Sequence, residues 1–131
     1  MRLLLDTHVF LWLQTEPERM GEHLATVEDP RAELLVSAVS SWEIAIKHGL
    51  GRLPLPEPPE RYVLDRIRAI GAQPIAIEHA HALAVGALEP LHRDPFDRLL
   101  VAQALALDAV LLTADATLAR YPAKTRLVGA G

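Results

Sequence analysis

Acidic side chains stand at four separated points of the chain where a fold could bring them together. Asp6 and Asp115 each follow a short apolar run, whereas Glu43 and Asp97 fall in segments with helical spacing. Each carboxylate raises the cost of ionising its neighbours, so several at one edge of a sheet stay ionised mainly when a hard cation such as Mg²⁺ neutralises them. The pattern therefore predicts a divalent-metal site, with phosphodiester chemistry as the leading hypothesis.

The elements that must position these acids follow from the apolar pattern. Runs rich in Leu, Val and Ile predict strands near residues 2–6, 33–37, 74–77, 109–113 and 125–128. The segments between them predict helices near residues 8–14, 20–28, 38–48, 59–71, 78–87, 95–107 and 115–120. Strands that alternate with helices predict an α/β fold, with a mainly parallel central sheet covered by helices on both faces. Sites in such sheets form beyond the carboxyl ends of the strands.

Composition limits the class of protein. The chain has 131 residues, of which 50% are hydrophobic and 23% charged, which is typical of one folded domain, here residues 1–131. It has no cysteine, which excludes thiolate metal sites and fits a reducing cytoplasm. The first apolar run is too short for a secretory signal, and no run reaches the ~20 residues of a membrane span. A soluble cytoplasmic protein is expected.

The net charge of −4 argues against a generic nucleic-acid-binding module with a strongly basic surface. Setting aside the four candidate metal ligands leaves 13 of the 17 acidic residues, which equals the number of basic residues. A surface of that balance need not repel phosphates. Charge therefore leaves a nucleic-acid substrate open.

Each acid also has a purely structural interpretation. Asp6 and Asp115 could cap the helices that follow them by accepting a backbone N–H. Ser40 and Glu43 have the spacing of a capping box. Against this, Glu43 borders the face of its helix that should pack, where an unpaired carboxylate is costly.

Asp94 and Pro95 form a good helix start, with Asp94 as N-cap and proline at the first helical position. The N-cap role is therefore enough to explain an aspartate at position 94. Asp97 then lies in the first turn of a helix that is apolar on nearly every side. We therefore expect Asp97 to enter the interior with that helix.

The prolines of Leu53-Pro54-Leu55-Pro56-Glu57-Pro58-Pro59 predict a stiff, extended segment. A proline-rich peptide ligand would have a similar composition. Because the segment lies between two predicted helices of one small domain, a connector is the favoured interpretation.

Four motifs occur in order along nearly the whole chain, namely Leu4–Trp12, Ser37–Lys47, His92–Ala104 and Leu112–Asp115. In these motifs the chain resembles PIN-domain ribonucleases, in particular VapC toxins of type II toxin–antitoxin systems. The resemblance implies a PIN-like fold in which Asp6, Glu43, Asp97 and Asp115 are the catalytic, metal-binding acids. Asp94 maps onto an accessory acid of this subgroup.

The activity that the resemblance implies is that of a metal-dependent endoribonuclease. One or two Mg²⁺ or Mn²⁺ ions would position a water molecule, lower its pKa and neutralise the phosphate during an in-line displacement. Thr7 and Thr113 are candidates for hydroxyl contacts to the ligands or to substrate phosphate. The expected partners are the RNA substrate, a cognate VapB-like antitoxin and a second copy of the chain.

Two alternatives from other classes stay open. A receiver-like signalling module also has an open parallel sheet, strand-end acids and a late lysine such as Lys124. It needs an acceptor aspartate at the end of a central strand, and neither Val36-Ser37 nor Ile75-Ala76-Ile77 supplies one. The other alternative is a catalytically silent interaction domain whose acids are caps, which metal binding would distinguish from a nuclease.

Overall fold

Five strands and six α-helices alternate along residues 1–129, the part of the chain that the computed structural model describes; residues 130 and 131 of the predicted domain lie outside it. The elements are β1 (Arg2–Leu5), α1 (Thr7–Thr15), α2 (His23–Glu28), β2 (Glu33–Ser37), α3 (Ala38–Gly49), α4 (Pro59–Ala69), β3 (Gln73–Ile75), α5 (His79–Ala84), α6 (Pro95–Leu107), β4 (Val110–Thr113) and β5 (Thr125–Leu127). Short 3₁₀ segments cover Pro17–Met20, Val85–Ala87 and Ala116–Arg120.

All strands pair in parallel, in the order β3-β2-β1-β4-β5. The predicted α/β fold with a parallel central sheet is confirmed. A receiver-like module has the strand order 2-1-3-4-5. The observed order therefore argues against that alternative.

The central strand shows why the sheet has a helical layer on each side. Leu3, Leu4 and Leu5 of β1 are all fully buried, which is typical of a parallel strand covered on both faces. Leu3 and Leu5 pack in one apolar cluster with Phe10 of α1, whereas Leu4 packs in the other with Leu100 of α6. Two cores thus separate three layers.

The strand register determines where the acids meet. Leu5 pairs with Leu112 of β4, and the backbone N–H of Asp6 donates to the Leu112 carbonyl at 2.9 Å. Ser37 and Thr113 end β2 and β4. Because β1, β2 and β4 are parallel neighbours, the segments that follow them begin at the same edge of the sheet.

The predicted helix at 115–120 is a 3₁₀ segment, Ala116–Arg120, and two other predicted helices are shortened next to glycines. The predicted helix at 20–28 is shortened to α2, and Gly21 has a φ of +55° that an α-helix does not accommodate. The predicted helix at 59–71 ends at Ala69, two residues before Gly71, whose φ is +68°. Among the described residues, no helix has the length and apolarity needed to cross a membrane.

Candidate active site

The predicted acids line one open cavity of about 440 Å³ at the carboxyl edge of the sheet. Asp6 leaves β1, and Asp115 leaves β4 two residues after its last residue. Helix α3 contributes Glu43, and the start of α6 contributes Asp94 and Asp97. The structure thus brings together all five acids singled out in the sequence, and their roles remain predictions.

Asp6 is 3% exposed and both of its carboxylate oxygens accept hydrogen bonds. Oδ1 accepts from the backbone N–H of Thr7 at 2.7 Å, and Oδ2 accepts from the hydroxyl of Thr113 at 2.6 Å. Burial raises the pKa of Asp6, and the hydrogen bonds from Thr113 and Thr7 oppose that rise. Asp6 therefore caps α1, as the structural interpretation predicted, while Thr113 also anchors it to the neighbouring strand.

Thr113→Val is expected to lower metal affinity and any metal-dependent activity about 10- to 100-fold, which is typical for loss of a partner that orients a ligand. Valine removes the hydroxyl that stabilises the charged form of Asp6, so the carboxylate becomes harder to ionise. Calorimetric Mg²⁺ titration measures the change. Thr26→Val, on the remote helix α2, is the matched control, and equal metal affinity in both variants would contradict the role of Thr113.

The other threonine of the prediction has a different contact. The Thr7 hydroxyl donates to Ser40 Oγ at 2.9 Å, and both residues are buried. This hydrogen bond ties α1 to α3. Neither Thr7 nor Thr113 lines the acidic cavity itself.

Glu43 is 3% exposed, and its two oxygens have different surroundings. Oε2 accepts from the ammonium group of Lys47 at 2.6 Å, whereas Oε1 has no hydrogen-bond partner among the described residues. Leaving a buried carboxylate oxygen unpaired is costly. A cation in the cavity would remove that cost.

The capping box predicted for Glu43 is wrong. A capping box would make Ser40 the N-cap, but α3 begins at Ala38, directly after β2. Its N-cap is Ser37, whose hydroxyl oxygen accepts from the backbone N–H of Val39 at 3.0 Å. Ser40 is therefore inside the helix and bonded to Thr7. The structural explanation for Glu43 is lost with it.

Asp94 and Asp97 lie three residues apart at the start of α6. Asp94 is the N-cap, as predicted, with Oδ1 accepting from the backbone N–H of Phe96 at 2.8 Å. Asp97 is partly buried, as expected for a helix that enters the interior. Burial, together with the charges of Asp6 and Asp94, raises the pKa of Asp97 to about 7.

His92 is a site residue to which the sequence analysis assigned no role. Its Nε2 lies 2.7 Å from Oδ2 of Asp115 and 3.1 Å from Oδ2 of Asp97. Its Nδ1 accepts from the backbone N–H of Asp94 at 3.0 Å, so Nε2 carries the proton and donates to Oδ2 of Asp115. The one sequence feature that could have pointed to His92 is its position two residues before Asp94, the predicted N-cap of α6.

His92, Asp97 and Asp115 each offer one atom within 4.8 Å of the others, a spacing that could hold a metal ion if Nε2 of His92 gave up its proton. Asp115 also caps the following 3₁₀ segment, because its Oδ1 accepts from the backbone N–H of Thr117 at 2.9 Å. Burial would raise the pKa of Asp115, but the hydrogen bonds from His92 and Thr117 hold it below its ordinary value. Asp115 is therefore ionised at neutral pH.

Comparison with known proteins places this geometry in a family. A family model described as "PIN domain" matches residues 3–124. Ribonuclease VapC22 of Mycobacterium tuberculosis (strain ATCC 25618 / H37Rv) is 30% identical over 116 residues, which are 86% of each chain. Ribonuclease VapC16 of the same strain is 48% identical over 64 residues, which are 49% of this chain and 45% of VapC16.

A solved structure shares the fold over almost the whole chain. It is that of VapBC2 from Rickettsia felis bound to a DNA fragment from their promoter, with a TM-score of 0.74 at 16% identity. The superposition covers 98% of this chain and 99% of the other. On the family model and the similarity to VapC22, the chain belongs to the PIN-domain family.

Proposed function

We propose that the protein is a metal-dependent endoribonuclease, the toxin component of a type II toxin–antitoxin system, that hydrolyses RNA phosphodiester bonds. The observation that carries this proposal is the convergence of Asp6, Glu43, Asp97 and Asp115 on one open cavity, with a buried oxygen of Glu43 unpaired. Two relatives, VapC16 and VapC22, are named ribonucleases. A cytoplasmic location, where RNA is abundant, belongs to the same proposal.

The donor atoms of the cavity fit Mg²⁺ or Mn²⁺. Carboxylate oxygens are the ligands that these hard cations prefer. Asp6, Glu43, Asp97 and Asp115 would hold the ion; the unpaired Oε1 of Glu43 offers a free ligand atom, and the raised pKa of Asp97 reflects burial beside the neighbouring carboxylates. When bound, the cation supplies Lewis-acid stabilisation of the phosphate and lowers the pKa of a water molecule.

The surrounding residues hold these carboxylates in position through hydrogen bonds. Thr113 fixes one oxygen of Asp6, and Lys47 fixes one oxygen of Glu43 while the other stays free. The Nε2–H of His92 donates a hydrogen bond to Asp115 and holds that carboxylate toward Asp97. Asp94 fixes the tautomer of His92 through its backbone N–H and begins the helix that carries Asp97.

A patch of exposed apolar side chains supports the proposed protein partners, a VapB-like antitoxin and a second copy of the chain. We call the exposed residues Trp42, Ile46 and Leu50 of α3 and Leu64 of α4 the α3–α4 patch. Trp42 and Leu64 also line a cavity of about 380 Å³ between α3 and α4. Grouped exposed apolar residues of this kind mark protein interfaces. The Trp42 ring also packs edge-on against Phe96 at 4.8 Å between centroids, so a segment bound at Trp42 would lie near the start of α6.

The test is incubation of the purified protein, freed of any bound antitoxin, with total cellular RNA in the presence and absence of Mg²⁺ or Mn²⁺. Cleavage is expected with metal and none after chelation, because the acids cannot act on a phosphate without the cation. An Asp6→Asn preparation purified in parallel controls for contaminating ribonuclease. No cleavage with either metal, together with no metal uptake in calorimetry, would contradict the proposal and favour the silent interaction domain.

A further inference from the structure

A second cavity, of about 250 Å³, adjoins the acidic one and shares two of its walls. His8 and Trp12 of α1 line both cavities. Beyond them, the second cavity extends to the proline-rich segment 53–56 and to Tyr62 of α4. The two cavities are therefore neighbours that share the wall formed by His8 and Trp12, and we call them together the groove.

The walls of this second cavity are rigid and largely apolar. Pro54 and Pro56 have fixed φ angles, and Leu53 and Leu55 pack against the core, so the proline-rich segment forms a firm wall. Tyr62, only 7% exposed, adds an aromatic ring. The segment thus connects α3 and α4, as its position between two predicted helices indicated, and it also shapes a surface.

Trp12 is held in place without any ligand. The guanidinium carbon of Arg19 lies 4.0 Å from the centroid of the indole ring, as in a cation–π contact. Gly129 approaches the ring so closely that a Cβ on it would lie 3.5 Å from an indole carbon. A ring fixed in this way loses little conformational freedom when a ligand binds beside it.

We propose that the second cavity binds an unpaired base of the RNA whose phosphate lies at the acids. The inference rests on the proposed function, since it takes the acidic cavity as the phosphate site. A flat, apolar ring is the part of a nucleotide that fits rigid walls of proline, tyrosine and tryptophan, and single-stranded RNA offers such rings for stacking. Because the two cavities share His8 and Trp12, one RNA strand can occupy both.

The charge at this end of the groove also favours a base over a phosphate. Glu16 lines the second cavity and pairs with Arg19 at 3.6 Å, so this pair offers no net positive charge to a phosphate. A carboxylate can instead accept a hydrogen bond from an amino group on a base edge. In this proposal the acidic cavity takes the phosphate with a cation, and the second cavity takes the base.

The test measures binding without cleavage, in an Asp97→Asn background. The probes are fluorescent, single-stranded hexamers of adenylate, cytidylate and uridylate, followed by versions of the tightest binder that lack one base at each position in turn. Trp12→Leu keeps apolar bulk without a ring, Trp12→Phe keeps a ring, and Leu83→Ala, at an exposed position of α5, is the control. Circular dichroism checks that each variant is folded.

Trp12→Leu is expected to weaken binding about tenfold, as for loss of one base–aromatic contact, while Trp12→Phe and Leu83→Ala bind almost as tightly as the parent. Removing the base that occupies the cavity should weaken binding to the parent by a similar factor and cause no further loss in Trp12→Leu. This non-additivity is the signature of a direct contact.

Equal binding by Trp12→Leu and the parent would overturn the inference, as would a base-removal effect of the same size in both chains. Loss of antitoxin binding with unchanged RNA affinity would assign the cavity to the protein partner instead. The readout is binding and not cleavage, so the two proposals can fail separately. If the protein binds RNA through Trp12 but cuts none, the base-binding inference is supported and the nuclease proposal is contradicted.

Discussion

Asp97→Asn is expected to lower the rate of metal-dependent RNA cleavage about a thousandfold, because a charged ligand that contributes several kcal/mol to the metal-assisted transition state is lost. Asparagine keeps the size of the side chain and a carbonyl oxygen, so the start of α6 should be unchanged. Asp65→Asn, an exposed position on α4, is the control and should cleave at the wild-type rate. Cleavage by Asp97→Asn within tenfold of wild type would show that Asp97 is not a ligand.

The same variant should be more stable than wild type when no metal is present. The pKa of Asp97 is about 7 in the folded protein against 3.8 for the ordinary group, so between these values the folded state binds a proton that the unfolded state has lost. The free energy of unfolding of wild type should therefore fall as pH rises from about 4 to 7, by about 2 kcal/mol after allowing for partial solvation of the carboxylate.

Urea unfolding at pH 5, 6, 7 and 8 with a chelator measures this effect. Asp97→Asn should show a flatter pH dependence and exceed wild type in stability at pH 8. Added Mg²⁺ should reverse the order, because binding to the folded state stabilises only the protein that retains the ligand. A wild-type stability that rises with pH over this range would mean that Asp97 is ionised without a cation.

Leu100→Ala should reduce the free energy of unfolding by about 3–5 kcal/mol without removing any proposed metal ligand. Leu100 is fully buried in the cluster between α6 and the sheet, and alanine leaves a cavity there. Thermal unfolding should shift down by roughly 10–20 °C in a chain of this size. At temperatures where the variant remains folded, its cleavage rate should stay within severalfold of wild type.

Leu83→Ala is the matched control for this prediction, since Leu83 is 79% exposed and its replacement should change stability by no more than about 0.5 kcal/mol. The two variants are therefore expected to differ in opposite ways. Leu100→Ala should lose stability and keep its cleavage rate, whereas Asp97→Asn should keep its fold and lose its cleavage rate. Equal stability of the two leucine variants would contradict the packing of α6 described above.

The fold was largely predictable because its strands leave a strong local signal. The leucines of β1 are buried on both faces, and such continuous apolar runs are typical of parallel strands. The short helices were less predictable, since the pattern at 78–87 continues where the structure changes from α5 to the 3₁₀ segment Val85–Ala87. The sequence pattern does not determine where an α-helix gives way to a tighter turn.

Convergence of the acids was also predictable, since strand ends at one sheet edge follow from topology. The contacts between elements were not. The hydrogen bond from His92 to Asp115 joins positions 23 residues apart, and the one from Thr113 to Asp6 joins positions 107 apart. Local spacing instead favoured a capping box at Ser40, which the packing of α1 against α3 overrides.

The double attachment of Asp6 has a consequence for how such a gene can change. Asn caps a helix as well as Asp does, whereas Ala forfeits about 1 kcal/mol at that position. An aspartate codon becomes an asparagine codon by one base substitution. Under the proposed function, one such step at position 6 would give a product that keeps its helix cap and its α3–α4 patch and lacks a metal ligand. Such an allele would occupy antitoxin without harming its host, which makes position 6 a natural place to look for domesticated copies of the gene.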